Sequence, residues 1–289
     1  MPGVVAPAAK DDLLTIISIS ALACILQDIL HEVLGHAVTA WLSGAHKITI
    51  STVAMQSDIE TKWISANGTV VNLIFAAIFW LILLKPQRYS PALRYFFVLA
   101  MAGNLFTGTG YFLYSGAANY GDWAAVIAGL QPYWMGRLGL VVLGAASYFV
   151  SMLLVRAQLL PFREPDRTSR RVRKLCWAPY FTDGVLAGVS GLLNPMGLFY
   201  VIASALPSTL GANAGLLSLP SMMRLRAGSE TKSGSVGDIT PPDYVSSVAP
   251  PSVVATVAPI LRSITWIAAG AIASILFIFV LGRGITWSR

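Results

Sequence analysis

The chain has 289 residues, of which 55% are hydrophobic and only 11% are charged, and its mean hydropathy is +0.67. Soluble domains carry about 25% charged residues, so this composition excludes an ordinary soluble protein and indicates an integral membrane protein. The net charge is +7. In a membrane protein such an excess of Lys and Arg reflects orientation in the bilayer and contact with lipid headgroups, so nucleic acid is not expected as a partner.

The first apolar run, residues 13–42, is longer than the ~20 residues that a transmembrane helix needs. It contains two of the 3 histidines of the chain, His31 and His36, and Glu32 stands between them. Ionisable side chains at membrane depth are expensive and mark functional sites, so this run holds the candidate site. The simpler alternative is a buried polar network that Asp28 helps to complete.

Residues 47–53, just after this run, alternate in polarity and are rich in β-branched side chains. This pattern predicts a short strand or hairpin. A strand edge beside a membrane site can pair with an extended peptide. A transmembrane or membrane-proximal peptide is therefore the substrate that the sequence favours, and the lipid bilayer is the other expected partner.

Further apolar segments complete the predicted fold, which is an all-α integral membrane protein of about six transmembrane helices with a short β-hairpin between the first two. The later spans are predicted at residues 63–84, 93–115, 138–155, 184–206 and 258–282. We divide the chain into a membrane-embedded core with the candidate site (1–160), a basic cytoplasmic loop (161–177) and a C-terminal membrane region (178–289). Within the last region, residues 224–257 are rich in Ser, Pro and Gly and are expected to form a flexible loop.

The positive-inside rule assigns the basic loop to the cytoplasm, and six spans then place both termini in the cytoplasm as well. The same alternation of spans has a second consequence. The histidines near the end of the first span, Asn72 near the start of the second and Asp122 just after the third all fall toward one membrane face. These polar residues are distant in the sequence, but we expect them to meet.

His31 and His36 are five residues apart, so on a regular α-helix they point about 140° apart and cannot share one ion. One solution is a π-helical i→i+5 turn, which brings both rings to one face, and Gly35 eases such a distortion. The other solution uses Glu32 and His36 as an i,i+4 pair of ligands. In that case His31 lies outside the coordination sphere. We favour the π-helical turn.

Several residues resemble motifs of the site-2 protease family of intramembrane zinc metalloproteases. His31-Glu32 with Gly35-His36-Ala37, followed by Ala40 to Gly44, is similar to the zinc helix of that family with one inserted residue. Gly68-x-x-x-Asn72 is similar to its Gly-Pro-x-x-Asn motif, with Thr69 in place of the proline. Asp122, after Asn119, resembles the third zinc ligand from a later span. The resemblance covers residues 28–125.

The resemblance implies that His31, His36 and Asp122 bind Zn²⁺ and that Glu32 is the general base for hydrolysis of peptide bonds. It implies that Asn72 steadies the substrate or the oxyanion, and that the protein lies in a membrane such as the bacterial inner membrane. Two of these residues also have structural interpretations. Asp122 is well placed to cap a helix that begins at the next residue. Asn72 could form an interhelical hydrogen bond.

Two other functions are compatible with the same residues. A zinc-dependent hydrolase of a lipid or another amide would use the same metal, water and base, and a wide lipid-facing groove would favour it. A non-catalytic membrane scaffold would keep the fold without a working site. Stoichiometric zinc in the purified protein distinguishes both enzymes from the scaffold.

Overall fold

The computed structural model describes residues 10–163, 170–195, 197, 199, 201–223 and 256–289, and these form a bundle of helices with one small sheet. The helices are α1 (Leu13–Leu42), α2 (Lys62–Leu83), α3 (Pro91–Ala118), α4 (Asp122–Ile127), α5 (Tyr133–Phe162), α6 (Arg170–Leu192), α7 (Val201–Met222) and α8 (Ile264–Leu281). All except α4 and α6 are long and apolar enough to cross a membrane. The predicted helical fold, with six helices that could span a membrane, is confirmed for the described residues.

Side-chain caps mark where four of these helices begin. The Asp12 carboxylate accepts a hydrogen bond from the Thr15 backbone N–H at 2.8 Å at the start of α1. The hydroxyls of Thr61, Ser90 and Ser263 accept equivalent bonds at the starts of α2, α3 and α8. Such caps satisfy backbone donors that a helix leaves unpaired at its first turn.

The sheet consists of β1 (Lys47–Ile50), β2 (Met55–Ser57) and β3 (Ile285–Ser288), in the antiparallel order β2-β1-β3. The hairpin between α1 and α2 is confirmed. Asp58 closes it by accepting from the backbone N–H groups of His46 and Lys47, and these bonds lower the pKa of the Asp58 carboxyl. The third strand was not predicted, because Ile285–Ser288 is short and follows a span directly.

Hydrogen bonds at the two ends of the bundle define its topology. At the start of α1, the Asp12 N–H donates to the Ile260 carbonyl at 2.8 Å, and Arg171 forms a 2.8 Å ion pair with Asp11. At the opposite end, the Arg289 N–H donates to the His46 carbonyl at 3.0 Å. The described residues nearest to the two ends of the chain therefore lie at opposite ends of the bundle. We refer to these ends as the Leu13 end and the sheet end.

This arrangement corrects two sequence-based predictions. The predicted fifth span, residues 184–206, is replaced by two antiparallel helices, α6 and α7. Residues 170–177 of the predicted basic loop form the first turns of α6, whereas 164–169 lie outside the described residues, as do 224–255 of the predicted flexible loop. The cytoplasmic location of both termini stays a prediction.

The start of α6 escaped prediction because its basic residues lower its hydropathy. Arg171 is nevertheless only 8% exposed. Its guanidinium pairs with Asp11 and donates to the carbonyls of Val257 and Ala258 at 2.6 and 2.8 Å. A buried charge is tolerated where it is paired and hydrogen-bonded to this degree. Hydropathy alone cannot anticipate such partners.

Several exposed tryptophans lie at the sheet end of the bundle. Four of them project outward with 44–76% exposure: Trp41, Trp63, Trp134 and Trp287. Trp is enriched where a membrane meets water, because its ring is apolar and its N–H is polar. The candidate site lies inside the bundle near this end.

Candidate metal centre

The middle of α1, Leu30–Ala37, is π-helical, and this segment solves the spacing problem of the two histidines. The rings of His31 and His36 meet edge to face with their centroids 4.7 Å apart, and their Nε2 atoms are 3.1 Å apart. The predicted i→i+5 turn is therefore confirmed. Among the described residues, the group that could hold a metal ion consists of these two histidines and Asp122, so Glu32 is not a member of it.

Two glycines allow the helix to distort at this point. Gly35 on α1 and Gly68 on α2 pack backbone to backbone, and a Cβ on Gly35 would lie 2.5 Å from the Cα of Gly68. Small residues permit this close approach of two helices. The Gly35 carbonyl accepts from the Thr39 hydroxyl at 2.6 Å, and Asn67 donates to the same hydroxyl at 2.7 Å. The irregular turn is thus supported by side chains of both helices.

Asp122 reaches the histidines through a sharp turn after α3. Asn119 and Gly121 adopt positive φ angles of 55° and 85°, which reverse the chain so that α4 begins beside α2. Gly121 occupies the N-cap position, and Asp122 is the first helical residue. The capping interpretation of Asp122 is therefore wrong, and its carboxylate points into the bundle.

A second contact fixes α4 against α2. The indole N–H of Trp123 donates to the Thr69 hydroxyl at 2.9 Å, and Thr69 is fully buried. Thr69 is the residue that departs from the site-2 protease pattern. In this chain the substitution supplies the acceptor that holds the helix of Asp122 in place.

The three candidate ligand atoms form an almost equilateral triangle. Asp122 Oδ2 lies 3.3 Å from the Nε2 atoms of both His31 and His36, which are themselves 3.1 Å apart. Tetrahedral zinc with bonds of 2.0–2.2 Å separates its ligand atoms by roughly 3.3–3.6 Å. The donor set, two imidazoles and one carboxylate, is one that zinc commonly binds. The residues present therefore fit a zinc ion.

A chain of hydrogen bonds determines which nitrogen of His31 carries its proton. The Ala100 carbonyl can only accept, so Asn104 donates to it through Nδ2 at 2.8 Å. Asn104 Oδ1 then accepts from Asn72 Nδ2 at 2.7 Å, and Asn72 Oδ1 accepts from His31 Nδ1 at 2.5 Å. The lone pair of His31 Nε2 is consequently left facing Asp122. Contacts of this kind orient metal-binding histidines in many proteins.

His36 is oriented in the same way by a backbone group. Its Nδ1 donates to the Ile64 carbonyl at 2.6 Å, so its Nε2 lone pair also faces the triangle. Three acceptor atoms therefore converge on one point, and only a cation, either a metal ion or added protons, stabilises such an arrangement.

The structure places Asn72 behind His31, away from the cleft. Its side chain is completely buried, and both ends of its amide are occupied, by His31 and by Asn104. These contacts are the interhelical hydrogen bonds considered as its alternative, and they leave no amide donor directed at the cleft.

Glu32 lies beside the triangle of candidate ligand atoms. It is 6% exposed, and its Oε2 atom has no hydrogen-bond partner among the described residues. Together with His36 and Asp122 it lines a cleft of about 1270 Å³, including the space open to solvent. The wall opposite these residues is formed by β1, β2 and residues 58–65. The cleft connects the buried triangle to the sheet end of the bundle.

Tyr111 is a site residue that the sequence analysis missed. Its ring stacks on the His31 ring with centroids 4.8 Å apart and an angle of 21°, and it lines the same cleft. Asp183 was also missed. It lies with Asp28 and Glu32 on a small interior cavity of about 20 Å³ and accepts from Asn213 at 2.8 Å. Neither residue belongs to a local motif, so only the packing of α3 and α6 against α1 reveals them.

The contact between Gly68 and the imidazoles leads to a first testable expectation. A Cβ at Gly68 would lie 2.7 Å from His31 Cε1 and would clash with His36 Nε2. We expect Gly68→Ala to lower zinc affinity about 10–100-fold by displacing the rings, at a stability cost of about 1–3 kcal/mol.

Gly139→Ala is the matched control, because a Cβ there meets no atom within 4 Å. Zinc titration of the two purified variants checks the expectation. Equal zinc affinity in Gly68→Ala and Gly139→Ala would contradict the packing described for this site.

No protein-family model, curated protein or solved structure matches this chain significantly. A function for the chain must therefore be argued from its own motif and geometry. The geometry offers a buried, triangular set of two imidazoles and a carboxylate with an unpartnered glutamate beside it.

Proposed function

We propose that this protein is a membrane-embedded zinc metalloprotease that hydrolyses peptide bonds, as do the site-2 proteases that it resembles. The observation that carries the proposal is the convergence of His31, His36 and Asp122 at 3.1–3.3 Å beside the free carboxylate of Glu32. The network behind the histidines fixes their lone pairs toward the same point. Such preorganisation is costly unless a cation is held there.

The chemistry divides between the ion and the chain. When bound, a zinc ion acidifies a water molecule and polarises the substrate carbonyl. Glu32 accepts a proton as the water oxygen bonds to the carbonyl carbon. When the C–N bond breaks, Glu32 returns this proton to the leaving amine. Burial of Glu32 in the cleft keeps its carboxylate close to the reacting atoms and away from competing partners.

A peptide substrate is supported by the position of β2. Met55, Gln56 and Ser57 line the cleft, and β2 is an edge strand of the sheet. An edge strand presents unpaired N–H and C=O groups, which can hydrogen-bond an extended peptide. A peptide bound in this way would run along the cleft past Glu32. This arrangement favours peptide-bond hydrolysis over other reactions of the same zinc site.

The charge distribution supports an orientation in the membrane. Most of the described basic residues lie at the Leu13 end: Lys10, Lys85, Arg88, Arg94, Arg156, Arg163, Arg170, Arg171, Arg173, Lys174 and Arg262. Fewer lie at the sheet end: Lys47, Lys62, Arg137, Arg283 and Arg289. By the positive-inside rule the Leu13 end faces the cytoplasm, so the cleft opens on the other side. The bacterial inner membrane stays a prediction as its location.

A second candidate function, hydrolysis of a lipid or another amide, is favoured by one observation. A largely apolar groove of about 940 Å³ lies between α3, α5 and α7. It shares Gly110, Tyr114, Pro207 and Ala212 with a smaller cavity that Asp122 also lines. An acyl chain in this groove would lie close to the metal centre.

Zinc binding tests whether the protein is an enzyme of either kind. We expect the purified chain to hold one zinc ion, and His36→Ala to lower zinc affinity by at least about 10³-fold because a ligand is lost. His46→Ala is the control, because His46 is exposed in the loop after α1 and should not alter zinc affinity.

Elemental analysis after membrane extraction, followed by zinc titration, gives both quantities. Less than about 0.1 zinc per chain in zinc-supplemented cells would support the non-catalytic scaffold instead. Release of new amino termini from casein, compared with hydrolysis of an N-acyl amide, separates the two enzymatic candidates.

A further inference from the structure

Hydrolysis of a peptide bond places negative charge on the carbonyl oxygen, and an enzyme commonly aims a hydrogen-bond donor at that oxygen. Asn72 cannot supply this donor, because its amide is committed to Asn104 and it is fully buried. The proposed reaction therefore requires a donor from another residue of the cleft.

Most hydroxyls that line the cleft already donate to backbone carbonyls. Ser57 donates to Ile59, Ser65 to Thr61 and Ser204 to Val53. Breaking any of these bonds to reach a substrate would leave a carbonyl less satisfied. These hydroxyls are therefore poor candidates.

Tyr111 differs from them in position and in partner. It lines the cleft with Glu32 and Asp122, the interior cavity with Glu32, and the smaller cavity with Asp122. Its side chain thus stands where the three cavities meet. Among the described residues, no backbone carbonyl accepts a hydrogen bond from its hydroxyl. Ser208, which lines two of the same cavities, donates its own O–H to the Ala205 carbonyl at 3.0 Å.

The ring of Tyr111 is held in place before any substrate binds. It stacks on His31, and the residue is only 8% exposed. Gly121 lies close to the ring, since a Cβ there would be in ordinary van der Waals contact with Tyr111 Cε1 at 3.7 Å. A donor held in this way needs no reorganisation when negative charge develops, which is the condition for effective transition-state stabilisation.

We propose that Tyr111 is a catalytic residue whose hydroxyl donates a hydrogen bond to the oxyanion formed from the peptide carbonyl; this inference rests on the proposed function. Glu32 and Tyr111 then act on different atoms. Glu32 moves the proton between water and amine, whereas Tyr111 stabilises charge on oxygen and transfers no proton. Its loss should lower the rate of the chemical step without weakening the binding of the metal.

The test compares Tyr111→Phe with Tyr95→Phe in the zinc-loaded full chain. Phe keeps the ring that stacks on His31 and removes only the hydroxyl. Tyr95 lies on the same helix but lines none of the cavities described above, and its hydroxyl donates to the Leu175 carbonyl at 2.7 Å. For casein cleavage, we expect Tyr111→Phe to lower kcat about 10²-fold, with KM within about 3-fold and zinc content unchanged. Tyr95→Phe should retain wild-type kcat.

A phosphinic peptide, whose tetrahedral oxygens mimic the oxyanion, provides a second readout. Its Kd should rise about 10²-fold in Tyr111→Phe and stay constant in Tyr95→Phe. Wild-type kcat and Kd in Tyr111→Phe, beside an inactive Glu32→Gln, would overturn the role of Tyr111 and leave the proposed function intact. Undiminished cleavage by Glu32→Gln would overturn the proposed function, and the role of Tyr111 with it.

Discussion

The Glu32→Gln protein is expected to bind zinc as the wild type does and to lose peptide hydrolysis by a factor of about 10²–10⁴ in kcat. Gln has the size of Glu, and the carboxylate Oε2 that it replaces makes no hydrogen bond among the described residues. The substitution therefore removes the proton acceptor with little disturbance of the π-helical segment. Rates measured with equal zinc occupancy give the comparison.

Glu60→Gln is the matched control for this experiment. Glu60 also lines the cleft, but it is exposed and does not belong to the group of candidate metal ligands. Its variant should retain the wild-type rate and zinc affinity. If Glu32→Gln lost zinc as well as activity, Glu32 would be a ligand, which is the solution of the spacing problem that the structure disfavours.

A change in the number of residues between His31 and His36 should also have a large effect on zinc affinity. An insertion should lower the affinity strongly, whereas a deletion should not. Insertion of one Ala after Leu34 places His31 and His36 six residues apart. Neither an α-helical nor a π-helical turn brings residues at that spacing to one face. We expect the insertion to lower zinc affinity by at least about 10³-fold, measured by competition with a chelator.

Deletion of Leu34 is the informative partner of that insertion. It restores a four-residue spacing, which a regular α-helix accommodates, so zinc affinity should stay within about 10-fold of wild type. Leu34 is 39% exposed, so its loss costs little packing. Equal damage by deletion and insertion would contradict the view that the extra residue is absorbed as a local bulge.

The part of the site that follows from helical geometry could be predicted from the sequence. His31 and His36 are too far apart for an α-helix and suit an i→i+5 turn, so their spacing itself indicates the bulge. Asp122 and Asn72 were expected at the same membrane face because Asp122 follows the third span and Asn72 lies near the start of the second. The order of the spans predicts which residues share a face, because each apolar helix runs once from one end of the bundle to the other.

The remaining features depend on contacts between distant residues. The acceptor for His36 is the backbone carbonyl of Ile64, which any residue type could provide. The role of Asn72 depends on Asn104, and no local pattern distinguishes a positioning amide from a catalytic one. Similarly, Arg171 is accommodated in α6 because Asp11 lies opposite to it. Such partners become visible only when the helices are packed.

The strand that follows α8 has a consequence for the order in which the protein is assembled. β3 pairs with β1, and Arg289 donates to the carbonyls of Trp41 and Ala45 at the end of α1. The hairpin beside the candidate metal centre therefore receives its last strand only after α8 has been synthesised. During synthesis, the candidate ligands on α1 and α4 can come together before the wall of the cleft is complete. Under the proposed function, hydrolysis would thus be delayed until the later helices are in place.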